Sequence, residues 1–169
     1  HWMTDLLRYV TECADNNQEI TARGILDRID KFALHKLSEA ITPDPGKIET
    51  GPDGLPLGFG VHRIVFTYLD YLLVEKLEEW DFTFGYRTSI EHFSPVTEDT
   101  DHAAPAYRVR DRKLLDYFGN LALVTVTENS KFSNLPPGVK ANNATARRQS
   151  LKLELMARRA EEGSWTDDD

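Results

Sequence analysis

The residues best suited to chemistry in this chain are the adjacent Glu91 and His92, then Asn120, then Asn129. A strand ending at the Glu-His pair, a second strand after Asn120 and a polar turn or helix start at Asn129 would bring the four side chains together. Such a set suits phosphodiester hydrolysis, which needs an activated water, a cation on the scissile phosphate and a brace for the base. An imidazole with a pKa near its ordinary value of about 6.5 serves as a general base at neutral pH. One carboxylate and one amide oxygen suit magnesium, which keeps several of its waters and takes few protein ligands. A cation so held would neutralise charge developing on the phosphate and on the leaving oxygen.

Cys13 is the only cysteine among 169 residues. That excludes an internal disulfide and a thiolate zinc site, so any metal is expected to be a hard ion, Mg2+ or Mn2+. The net charge of -8 argues against a chain that coats nucleic acid by bulk electrostatics. The charge is uneven, however. From Lys131 to Ala160 the basic residues Lys131, Lys140, Arg147, Arg148, Lys152, Arg158 and Arg159 are opposed only by Glu154. This run is expected to meet a phosphate backbone through Lys140, Arg147, Arg148 and Lys152, or else to be a solvated helix face. No stretch is apolar enough to span a bilayer or resembles a signal peptide, so no membrane is expected and the cytoplasm is the default location.

The elements that must position these groups follow from periodicity. Helices are expected from about Thr4 to Asp15 and Thr21 to Ile41, with His1-Trp2-Met3 set aside. Residues 42–60 hold four prolines and five glycines, which forbids a continuous helix and predicts a loop with room for a short hairpin. Val61–Glu79 returns to a buried helix. Phe82–Phe93 alternates and predicts one or two strands, with Trp80, Phe82, Phe84 and Tyr86 in the core. A polar loop through Ala106 is followed by a short helix over Arg110–Phe118 that Gly119 ends. Leu121–Thr127 is rich in β-branched residues and predicts a strand. A polar turn is expected over Asn129–Gly138, and a last helix over Asn143–Glu162. His35, His62 and His102 are expected to be structural or exposed, and Asp99, Asp101 and Asp111 to be ordinary loop carboxylates.

Three segments, SIEHFSPV (89–96), FGNLALV (118–124) and ENSKFSNLPPGVK (128–140), resemble the HNH nuclease domain that ends GmrSD-type and SspE-type modification-dependent restriction proteins. The family pattern runs Glu-His-aliphatic-x-Pro, Gly-Asn-Leu-x-Leu-aliphatic and Asn-x-Lys-x-Ser-Asn, with Phe93 here in the aliphatic slot. The helix FTYLDYLLV (66–74) also resembles the one preceding the motif. The resemblance implies His92 as general base, Glu91 and Asn129 as metal ligands, and Asn120 as the brace that orients the histidine. It places Lys131 near the phosphate. The motif's final metal-binding histidine is asparagine here, which favours magnesium, and Thr97–Asp116 is expected to fold outward as an insertion.

The fold class these observations imply is α+β: a helical N-terminal part followed by a ββα-metal (HNH) nuclease core with a C-terminal helix. Residues 1–60 are expected to form a helical extension and loop, 61–162 the nuclease domain, and 163–169 the start of a continuation. The expected function is a metal-dependent DNA endonuclease, nicking or cleaving, within a modification-sensing defence protein. DNA, possibly modified, is the expected partner, together with an N-terminal ParB-like nucleotide-hydrolysing domain of the same protein. The alternative is a non-catalytic DNA-binding or autoinhibitory module on the same scaffold.

Overall fold

The structure, a computed structural model, describes residues 2–42, 46–97 and 108–169. Asp99, Asp101 and His102 lie outside these residues, as does most of the polar loop expected through Ala106. Two compact units divide the chain at Ala40/Ile41. The first consists of α1 (Trp2–Asp15) and α2 (Ala22–Ile41). Asp5 pairs with Arg28 at 3.3 Å, and the guanidinium lies 5.9 Å from the centre of the Tyr9 ring.

The second unit is an α+β structure around a two-stranded sheet. It begins with an irregular stretch in which Thr50 bridges Pro56, forming the tight turn that the proline and glycine content predicts. A 3-10 turn over Gly58–Gly60 leads into α3 (Arg63–Leu77). Next come β1 (Ser89–His92), a 3-10 turn over Phe118–Asn120, and β2 (Leu121–Val124). Four helices follow: α4 (Val126–Phe132), α5 (Pro137–Lys140), α6 (Ala144–Arg147) and α7 (Leu151–Glu161).

Several expectations are corrected. Phe82–Thr88 forms no strand, so only the last four residues before Phe93 pair. The segment does not enter the core: Trp80 is 69% exposed and Tyr86 89%. Phe82 and Phe84 meet edge-on, with centroids 5.0 Å apart. Arg110–Phe118 forms turns rather than a helix. The expected polar turn at Asn129 is instead part of α4, because the Thr125 hydroxyl caps Glu128 N at 3.3 Å and starts a helix immediately after β2. The single C-terminal helix is broken into α6 and α7, each with its own cap. Asn143 Oδ1 accepts from Ala146 N, and Ser150 Oγ from Leu153 N.

The sheet separates two apolar clusters. β1 and β2 pair antiparallel, with Ile90 opposite Leu123, Glu91 opposite Ala122 and His92 opposite Leu121. All four β2 residues are buried, as a short unbroken apolar run allows. Leu121 and Leu123 join Ile90 and Phe66 of α3 on one side. Ala122 and Val124 join Phe132, Leu153, Ala157 and Trp165 on the other. Residues 163–169 pack into this unit: Trp165 is 4% exposed and its ring meets Phe93 edge-on at 4.8 Å. No helix among the described residues is long and apolar enough to cross a membrane.

One buried carboxylate ties the layers together. The inward face of α3 runs Phe66, Asp70, Leu73, a helical spacing with a charge at its centre. Asp70 Oδ2 takes a 2.6 Å bond from Arg87 Nη1, just before β1, and Oδ1 takes a 2.9 Å bond from the backbone N of Lys152 in α7. Both side chains of the pair are essentially inaccessible. Removing one member strands the other in the core. Asp70→Ala is therefore expected to cost about 3–5 kcal/mol in urea unfolding, and a loss below about 1 kcal/mol would contradict this account.

Lys152 gives a second prediction. Burial, opposed by the charge of Asp70, lowers its pKa from the ordinary 10.5 to about 7. The unfolded chain thus holds a proton between pH 7 and 10.5 that the folded chain has released, so stability rises with pH across that window. Compared with Lys152→Met, the wild type should gain stability as pH rises above about 7, by at most about 1.4 kcal/mol per pH unit. A difference independent of pH would contradict it.

Candidate active site

Glu91 and His92 end β1, and their pairing opposite Ala122 and Leu121 sends the two side chains to opposite faces of the sheet. Glu91 shares the Ala122 side with Phe132 of α4, and α4 packs on β1. His92 shares the Leu121 side and opens to a cleft of about 460 Å3 lined by Lys47, Leu57, Phe59, Val96 and Asp116 among others.

On its face, Glu91 is met by Lys140. The ammonium is fully buried, 2.6 Å from Glu91 Oε1 and 2.5 Å from the backbone oxygen of His92. It also lies 5.8 Å from the centre of the Phe132 ring. Burial pushes the Glu91 carboxyl above the usual range and the Lys140 ammonium below it, and the contact between them opposes both shifts.

On the other face, His92 Nε2 bonds Asp116 Oδ1 at 2.7 Å, and the Phe59 ring stands perpendicular to the imidazole at 5.4 Å. Phe59 is 67% exposed. The backbone N of Gly58 donates to Asp116 O at 2.7 Å, which seats the 58–60 turn on the residue that touches His92.

Asn120 uses its whole amide. Nδ2 donates to the carbonyls of Ser94 and Leu115, and Oδ1 accepts from Ser94 N and Trp165 Nε1. Its own carbonyl accepts from Phe93 N at 2.8 Å. It therefore clamps the two residues after His92 onto the turn that opens β2, without lining the cleft.

Asn129 sits on α4 with Oδ1 shielded from water and without a hydrogen-bond partner. A buried amide oxygen with no donor opposite carries an uncompensated cost, which a cation would remove. Among the described residues no three His, Cys, Asp or Glu side chains converge. Asn129 Oδ1 is thus an oxygen donor without a partner and Glu91 a carboxylate shared with Lys140, donor types that suit a hard ion keeping most of its waters.

The basic residues fall elsewhere than the sequence suggests. Lys131 is 57% exposed and bonds Glu128 at 2.7 Å, which holds that carboxyl below the usual range. Lys140 is buried on Glu91. Lys152 is buried against Phe118, with Nζ 3.0 Å from Gly119 O. Neither ammonium lies on a surface that a phosphate backbone reaches. Arg147 is held by Glu154, Glu161 and the carbonyl of Ala141, so of the four residues expected to face DNA only Arg148 is exposed. The expected cationic stripe is not formed, because Lys140 and Lys152 turn inward to Glu91 and to the carbonyls of His92 and Gly119. Sequence reasoning passed over Asp116 and Phe59. The first lies four residues before Asn120, and the second lies in a turn assigned to the N-terminal extension.

No curated protein and no solved structure matches the chain. A model of one family does match, that of the GmrSD restriction endonucleases, C-terminal domain, over residues 58–169, a span that includes β1, β2, α4 and the Gly58–Gly60 turn. The chain therefore belongs to the family of GmrSD restriction endonuclease C-terminal domains.

Proposed function

We propose that this domain is a metal-dependent DNA endonuclease of the HNH type, with His92 as its general base. Restriction endonucleases cut DNA, so nuclease activity is the family-level expectation and DNA the substrate it implies. The observation that carries the finer reading is the position of His92 at the end of β1, lining a cleft of about 460 Å3. Support comes from the order β1, β2, α4 with Glu91, His92 and Asn129 on it, and from the orphaned Asn129 oxygen.

His92 accepts a proton from the attacking water as its oxygen bonds to phosphorus. The bond from phosphorus to the 3′ oxygen breaks, that oxygen takes a proton from solvent, and the products are a 5′-phosphate and a 3′-hydroxyl. Glu91 and Asn129 would hold Mg2+ or Mn2+, which would neutralise the charge gained by the phosphate and the leaving oxygen. Lys140 orients Glu91 through its 2.6 Å contact, and Asn120 keeps the chain after His92 in place. Within the longer protein an N-terminal ParB-like nucleotide-hydrolysing domain would sense modified DNA and license cutting, in the cytoplasm as part of antiviral defence. The non-catalytic alternative leaves the Glu91, His92 and Asn129 set without a role, since a binding module needs none of the three.

Supercoiled plasmid incubated with the domain and Mg2+ or Mn2+ should be nicked or linearised, and chelation should stop the reaction. His92→Ala should lose at least about 100-fold in rate. Asn129→Ala should retain the fold and need more metal. Cutting by His92→Ala at the wild-type rate would falsify the assignment.

A further inference from the structure

The side chain that meets His92 is Asp116, which belongs neither to the Glu-His motif nor to the two asparagine motifs. We infer that Asp116 is the positioning residue of His92: it holds Nε2, keeps the imidazole proton there, and leaves the lone pair of Nδ1 for water. This rests on the reading of His92 as base.

A neutral imidazole has one donor and one acceptor nitrogen, and an ionised carboxylate only accepts. At 2.7 Å from Asp116 Oδ1, Nε2 must be the donor. The tautomer follows from the contact, and the nitrogen available as a base is Nδ1. Asp116 is about half exposed, and so open a pair adds little to stability. What the contact does is orient the ring.

Asp116 is itself held. Its carbonyl accepts 2.7 Å from Gly58 N, and its side chain packs against Gly58 so closely that a Cβ there would stand 2.9 Å from Oδ1. Gly58 has φ +52°, where a side chain is strained as well. Glycine is thus required twice at this position, once for its backbone angle and once for room beside the carboxylate. The 58–60 turn also carries Phe59, which stands against the other partner, His92. The turn therefore contacts both members of the pair and fixes their approach.

The test combines 15N-edited spectra of the His92 ring with plasmid cleavage in Mn2+. The ring signals are assigned by their loss in His92→Gln and recorded at about pH 8, where an ordinary imidazole is neutral. In wild type His92 should be the Nε2-protonated tautomer. Asp116→Ala should mix the tautomers and lower kcat about 10- to 100-fold with KM for plasmid little changed. Asp116→Glu should restore most of both, and Gly58→Ala should reproduce the defect by displacing Asp116. An unchanged tautomer in Asp116→Ala overturns the inference, as does unchanged or faster cleavage, which would make the carboxylate a shield over the base. If wild type itself does not cut, the nuclease reading fails, while the tautomer comparison still decides the role of Asp116.

Discussion

The geometry of the site depends on a lysine drawn out of water. Lys140 places a charged head where none of its surface is accessible, and an unpaired ammonium there would cost several kcal/mol. It is balanced by the Glu91 carboxylate, the carbonyl of His92 and the face of Phe132. Two of these three partners belong to the last two residues of β1. A single cation therefore fixes both the direction of the Glu91 side chain and the backbone from which the His92 ring projects. The same pair explains why α5 is only four residues long yet stays in place: it is anchored through Lys140 at its C-terminus.

Around that anchor the sheet acts as a partition. Two strands of four residues are too small to stand alone, and these persist because each face of β2 is buried by a separate cluster. The partition has a chemical consequence. Neighbouring residues on β1 face different surroundings, Glu91 toward α4 and Lys140, His92 toward the cleft and Asp116. Asn120 then closes the junction, spending every donor and acceptor of its amide on Ser94, Leu115 and Trp165. Its place in the motif is explained by this cross-linking, and the packing of Trp165 makes the C-terminal segment part of the same junction.

Much of this was legible in the sequence where one local signal acted alone. The helices over Ala22–Ile41 and Arg63–Leu77, and the strand Leu121–Val124, follow their periodicity within a few residues. The candidate residues Glu91, His92, Asn120 and Asn129 were named from type and spacing. The failures arise where tertiary contacts override composition. A run of lysines and arginines reads as a solvated face, yet Lys140 and Lys152 each find a buried partner that no local pattern announces. The aromatic alternation of Phe82–Tyr86 reads as a strand, yet that segment has no strand to pair with and stays exposed. The polar stretch from Asn129 reads as a turn, because its helix depends on a cap at Thr125 and on Glu128 being satisfied by Lys131 and Asn143. Asp116 and Phe59 were invisible because they meet His92 from distant positions in the chain.

The central claim, that Glu91 and Asn129 bind a cation on the α4 face of the sheet, is tested most directly by diffraction from crystals soaked in Mn2+ and measured at the manganese absorption edge. The account predicts one anomalous peak on this face of the sheet, bonded to a Glu91 carboxylate oxygen and to Asn129 Oδ1, with waters completing the shell. A peak elsewhere, or none at saturating Mn2+ while Asn129 Oδ1 stays unpartnered, would contradict it.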